Sequence, residues 1–161
     1  MSSFKLPRWE ELPDIELYKE QVLELLELYL KPLGVRPITA SMINNYTKLN
    51  LIPAPIKKKY SKKHLAHIFI IALLKDVFEI SEIVRGINLE KGLLGRDVAY
   101  NIFVKEVEDS IDCMLNNTSI ATFIETNGMD KERNIMRYAA LSFAIHRYTR
   151  NLINDKGEKN D

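Results

Sequence analysis

Apolar residues recur every three or four positions over long stretches of this chain, and that spacing most limits the folds open to it. Tyr18, Val22, Leu25, Leu26 and Tyr29 make one stripe, Val98, Ile102, Val107, Ile111 and Met114 a second, and Ile135, Leu141, Ile145 and Leu152 a third. A period near 3.6 residues puts each set on one face of an α-helix. Only six glycines and six prolines occur in 161 residues, too few for the tight turns of a many-stranded sheet. An all-α, mostly helical chain is therefore expected. Its 46% hydrophobic content suits a protein that buries a core, either one compact domain or a small module joined to a helical partner.

Local signals divide the chain. Residues 1–13, with Trp9 between Pro7 and Pro13, read as an extended arm that Trp9 anchors, because each proline disfavours helix in the residue before it. Asp14 can cap a first helix, which Pro32 and Gly34 stop. A second helix starts at Thr39, whose hydroxyl can accept from an orphan backbone N–H, and runs to about Leu49 with Ala40, Ile43, Tyr46 and Leu49 inward. Asn50 suits a left-handed reversal, after which Leu51 and Ile52 return to the core. Pro53 and Pro55 keep the next segment extended, and Lys57–Lys59 with Tyr60 form a small wing. Ser61 can cap a third helix carrying Leu65, Ile68, Phe69, Ala72 and Leu73 inward, and Ser81 a short one ending at Gly86. Asn127 and Gly128 separate the last two helices. Segments 14–86 and 87–153 are thus expected as the two structured regions, with 154–161 a disordered tail.

Several chemistries find no support. Cys113 is the only cysteine, so no internal disulfide can form, and a reducing compartment is expected. The start lacks a basic region followed by an apolar one, and the run Ile68–Leu74 is too short to cross a bilayer, so the expectation is a soluble cytoplasmic protein. His64 and His67 lie one turn apart without cysteine or carboxylate close in sequence, which does not close a tetrahedral zinc shell. Cys113 sits on an apolar helix and reads as core. No phosphate-cradling glycine loop, nucleophile elbow or nucleophile–base pair is present, and the acids within Glu106–Asp112 fall at helical spacing as a solvated face. Neither enzyme activity nor a cofactor or metal is expected.

Charge is the positive signal. From Leu28 to Lys75 there is no Asp or Glu, while Lys31, Arg36, Lys48, Lys57, Lys58, Lys59, Lys62, Lys63 and Lys75 all lie there. Fourteen of the 23 basic residues are left to accompany all 22 acidic ones elsewhere, so a net charge of +1 conceals a basic segment in an acidic remainder. The lysines from Lys57 to Lys63 repel one another with no nearby acid in sequence, an arrangement that suits phosphate. On the helix from Thr39, the residues Ser41, Asn44, Asn45 and Lys48 fall at i, i+3, i+4 and i+7 and make a polar face without acids. Asparagine can pair with adenine through its amide, and lysine can donate to guanine or phosphate, so the face suits a major groove.

The stretch ITASMINNYTKLNLIPAPIKKKYSKKHLAHIFIIALLKDVFEISEI resembles the core of MerR-type regulators, a winged helix-turn-helix. Met42, Ile43, Asn44, Asn45 and Tyr46 occupy the positions of that family's Thr-Leu-Arg-Tyr-Tyr motif. Asn50 takes its glycine, Leu51 and Ile52 its paired leucines, Pro53 its proline, and Tyr60 the tyrosine closing the wing. His64 and Leu65 stand at its Asp-Leu pair, and Ser81–Ile83 at its closing motif. Two departures bear on binding. The family's helix arginine is Asn44 here, and its Gly-Tyr-Arg wing is Ile56, Lys57 and Lys58, which keeps charge but loses the bidentate fork of arginine. The opening LPRWEELPDIELY together with SMINNY also resembles a bacterial family, found mainly in low-GC Gram-positives, of uncharacterised MerR-like regulators.

The resemblance implies a transcriptional regulator binding double-stranded DNA through residues 38 to 83. The expected contact set is Thr39, Ser41, Met42, Asn44, Asn45 and Lys48 in the groove, with Lys57, Lys58, Lys59, Tyr60, Lys62, Lys63 and His64 on phosphate. One short helix reads few base pairs, so a homodimer paired through the C-terminal helices is expected, and those helices could also hold a small-molecule effector. The alternative is a protein-interaction adaptor that keeps the scaffold without binding DNA. A membrane-surface role is disfavoured, since no bulky apolar face accompanies the lysines in the sequence.

Overall fold

The computed structural model describes residues 4–125 and 131–157, and among these it is mostly helical. Its elements are β1 (Leu17–Tyr18), α1 (Lys19–Leu30), α2 (Ala40–Lys48), β2 (Lys59–Tyr60), α3 (Lys62–Leu74), α4 (Ile80–Leu94), α5 (Arg96–Leu115), α6 (Ile120–Ile124) and α7 (Lys131–Gly157), with single 3-10 turns at Trp9–Glu11 and Lys31–Leu33. No helix among the described residues is long and apolar enough to cross a membrane. Packing divides the chain into an N-terminal unit, Lys5–Asn101, and a C-terminal unit formed by Met1–Phe4 with Ile102–Asp161. The division falls inside α5, beyond the expected limit at residue 86.

The N-terminal unit is built around α3. That helix is apolar on all sides and buried along most of its length, which requires neighbours on several faces; it packs against α1, β2 and α4. From α1 come Val22, Leu26 and Leu30, all buried, and Tyr29 meets Phe69 edge-to-face at 6.0 Å. The segment before β1 also joins this core. Leu6 and Leu12 are buried, Trp9 stands edge-on to Tyr100 at 6.3 Å, its backbone N–H donates to Asn101 Oδ1 at 2.8 Å, and the Tyr100 hydroxyl donates to the Pro7 carbonyl at 2.9 Å.

Three boundaries differ from expectation. Asp14 does not cap α1: residues 17 and 18 are first drawn into a strand, and Tyr18 holds the N-cap position, its backbone N–H donating to Gln21 Oε1 at 2.9 Å. Ser81 lies within α4, whose N-cap is Glu79, with a backbone N–H that donates to Glu82 Oε2 at 3.1 Å. That helix runs through Gly86, where nothing crowds the backbone, and ends only at Gly95, whose φ of 84° no other residue type adopts easily.

In the C-terminal unit, Phe103, Val104, Val107 and Ile111 of α5 and Met136, Ala140, Leu141, Phe143 and Ala144 of α7 are buried. The inward face of α7 therefore lies to one side of the predicted stripe: Ile135, Ile145 and Leu152 are 37%, 39% and 45% exposed. Glu106, read from sequence as part of a solvated face, is buried and accepts from Arg137 Nε at 2.8 Å and Nη2 at 3.1 Å, with Arg133 at 3.8 Å. Arg137 also donates to the Phe123 carbonyl at 3.3 Å, tying in the short α6. Cys113 is buried in this unit, which raises its thiol pKa. Helix α7 continues to Gly157, so residues 154–157 of the predicted tail are helical, while Asn127, Gly128 and residues 158–161 lie outside the described residues.

Candidate nucleic-acid interface

Helix α2 forms where its signals predict. Thr39 sits at the N-cap and its Oγ1 accepts from the Met42 backbone N–H at 3.1 Å; at the other end Asn50 takes a left-handed φ of 55°. Ile43 and Tyr46 are buried, while Ser41, Asn44, Asn45 and Lys48 are all exposed on the other side. Ala40 and Leu49 are exposed rather than inward, and Met42 is half-buried. Asn44 is held by a hydrogen bond from the Lys19 ammonium of α1.

The lysine wing is a two-residue turn. Ile56 and Lys59 exchange backbone hydrogen bonds of 3.0 and 2.9 Å, and the residues between them, Lys57 and Lys58, hold φ values of 51° and 65°. Such turns favour asparagine and glycine, because a β-carbon in the left-handed region meets its own backbone; lysine costs about 1–2 kcal/mol per residue there. The turn does not stand alone. Strand β2 pairs antiparallel with β1, Tyr60 opposite Leu17 and Lys59 opposite Tyr18. Residues 17 and 18, assigned from sequence to the first helix, are thus the scaffold of the wing.

His64 secures its base. The Ser61 backbone N–H donates to Nδ1 at 3.0 Å, so that nitrogen is the acceptor; Nε2 then carries the proton and donates to the Ala54 carbonyl at 3.1 Å. One imidazole therefore bridges the two ends of the loop. The ring is 6% exposed and both nitrogens are used, which corrects its expected role on phosphate. Tyr60 is corrected likewise: at 2% exposed it belongs to the core, edge-on to His64 at 5.6 Å.

The acid-free stretch is partly neutralised by residues outside it. Arg36 makes a two-pronged contact with Asp76 at 2.8 and 3.2 Å, Lys75 reaches the same carboxylate at 3.7 Å, and Lys31 lies 3.6 Å from Glu27. Lys62, expected on phosphate, pairs with Asp14 at 2.6 Å and lies over the Trp9 ring, its side chain only 16% exposed. Lys59 is half-buried with its ammonium 5.4 Å from the Tyr18 ring centre. Lys48, Lys57, Lys58 and Lys63 are exposed, with no ion pair among the described residues.

Residues 7–103, more than half of the chain, match the family described as domain of unknown function DUF1836. The chain belongs to that family. Neither the curated proteins nor the solved structures yield a match. The DUF1836 span nearly coincides with the N-terminal unit, so α2, the lysine turn and the strand that supports it all lie within the family domain.

His67, on the α3 turn after His64, has no part in this surface. Burial, with the positive charges of Lys91 and Arg96, pushes its pKa down to about 4, and a hydrogen bond to the Leu51 backbone opposes that only in part. It is a neutral, half-buried imidazole. Three exposed or bonded residues share the surface without belonging to the predicted set: Tyr18, Lys19 and Ile56. Tyr18 and Lys19 are hidden in sequence because their surroundings depend on pairing with Lys59 and Asn44, residues distant along the chain.

Proposed function

We propose that this DUF1836 protein binds double-stranded DNA and regulates transcription, with α2 in the major groove and the lysine turn on flanking phosphate. The observation that carries this reading is the Lys57–Lys58 turn. Two lysines occupy backbone conformations that asparagine or glycine would hold with less strain, and their side chains stand exposed without a carboxylate partner among the described residues. Strain retained in order to present adjacent cations fits a polyanionic ligand. The order α1, α2, turn, α3 parallels the MerR-like pattern that the sequence resembles, and the outer face of α2 carries amides, a hydroxyl and a lysine suited to base edges. Ser41, Asn45 and Lys48 are the groove residues of this reading, with Asn44 held towards α1; Lys57, Lys58 and Lys63 are its phosphate contacts.

A gel-shift with the DNA upstream of the protein's own gene against scrambled DNA, at two salt concentrations, tests it. The natural fragment is expected to bind more tightly, and raising salt to weaken both complexes. Substituting Lys57→Glu, Lys58→Glu and Lys59→Glu together is expected to reduce affinity roughly tenfold or more at low salt. Failure of both DNAs to bind at low salt rejects the proposal and leaves the adaptor reading. Pairing of two copies through α7 is part of the same proposal, supported by its uncharged exposed row of Ile135, Tyr138, Ile145 and Leu152. A monomeric mass in light scattering across micromolar concentrations rules pairing out.

A further inference from the structure

The small sheet has two unlike faces. Residues directly opposite each other on paired strands point to the same side, so Leu17 and Tyr60 share one face, and Tyr18, Lys59 and Ile56 the other. The first face is buried, at 7% and 2% exposed. The second is open: Tyr18 is 52% exposed and Ile56 63%, with the Lys59 side chain laid across the tyrosine ring between them. A lone exposed isoleucine is ordinary. This one begins a turn whose next two residues are lysines with no ion pair among the described residues, and its backbone is fixed by both hydrogen bonds to Lys59 and by the His64 clamp on Ala54.

We propose that Ile56 enters the minor groove of duplex DNA and wedges between two adjacent base pairs, while Lys57 and Lys58 hold the phosphates on either side. The inference rests on the DNA-binding reading and adds a site to it. Apolar side chains inserted at a base step unstack it and kink the duplex, and they work only from a backbone that does not yield. Flexible pyrimidine–purine steps are the preferred targets, because they unstack most readily. The charge around Ile56 complements phosphate, and a single aliphatic side chain at the start of a lysine turn matches the size of one base step better than the broad apolar face that lipid insertion needs.

The test uses the full chain and a duplex that it selects from a random pool, with 2-aminopurine placed at each position in turn. Binding is expected to brighten the probe severalfold at one step and little elsewhere. Ile56→Ala is expected to abolish that brightening while affinity falls less than tenfold. Ile56→Lys separates the wedge from simple attraction, since it adds a cation yet should also abolish the brightening. Binding with no bright position, or brightening that survives Ile56→Ala, overturns the wedge and leaves the DNA-binding proposal standing. If no duplex is selected, both fall; in that event, sedimentation with phosphatidylglycerol vesicles that depends on Ile56 reassigns the surface to lipid.

Discussion

In the C-terminal unit a carboxylate is buried and answered from within: Glu106 accepts two hydrogen bonds from Arg137, with Arg133 close by. In the N-terminal unit the balance runs the other way. Asp14 and Asp76 neutralise Lys62, Arg36 and Lys75 around its edges, and Lys48, Lys57, Lys58 and Lys63 are left facing outward. Charge settled inside a unit serves its own packing, at the cost of desolvation that only good geometry offsets. Charge left unsettled at a surface adds self-repulsion to the folded state and is available to something outside the molecule. A formal sum of +1 registers neither arrangement.

The largest effect that would break this contrast is removal of the internal partner. Arg137→Ala leaves Glu106 buried, and a loss of about 3–5 kcal/mol is expected in urea unfolding of the full chain. Replacing the pair together, as Glu106→Leu with Arg137→Met, should recover much of that loss, because no stranded charge remains. Persistence of full stability in Arg137→Ala would show that the pair is no more than a surface bridge.

The next effect concerns how the N-terminal unit keeps a half-buried imidazole neutral. The folded pKa of His67, about 4, lies below the ordinary 6.5, so the unfolded chain binds the extra proton first as pH falls. The associated stability is fully present above pH 6.5 and is lost as pH drops towards 4, by about 2–3 kcal/mol. Melting curves across that window should show the slope, and His67→Gln should flatten it. An equal slope in the variant would assign the acid sensitivity to carboxylates elsewhere.

The smallest effect separates stability from binding. Lys57→Asn with Lys58→Gly supplies the residues that the turn geometry favours, and the fold should gain about 1 kcal/mol. The same change removes two outward cations, so affinity for DNA should fall and the salt slope diminish by about 2. Opposite signs in the two assays would show that the lysines are retained against the preference of their own backbone. A loss of stability would instead show that they support the fold.

Features coded within a few residues were legible in the sequence: the Thr39 cap, the reversal at Asn50 and the outer face of α2. Each depends on a side chain acting on backbone nearby. Features requiring a distant partner were not. The strand at Leu17–Tyr18 read as helix because Tyr18 fits the apolar stripe of α1, and only its pairing with β2 draws it out. Asp76 stands one residue past the acid-free stretch, so the neutralisation of Arg36, forty residues before it, was invisible. Gly86 read as a stop, yet a glycine with open space around it can remain in a helix that packing holds. The neighbours of His64 in sequence point it to phosphate, while its partners, Ser61 and Ala54, turn it inward.

The alternation across the small sheet bears on how this family can vary. Side chains on a strand change face at every step, so one residue inserted between Ala54 and Ser61 would send Lys59 inward and Tyr60 to solvent. It would also move Ser61 and Ala54 out of common reach of His64. Related chains should therefore keep the length of this turn unchanged, and insertions should accumulate elsewhere.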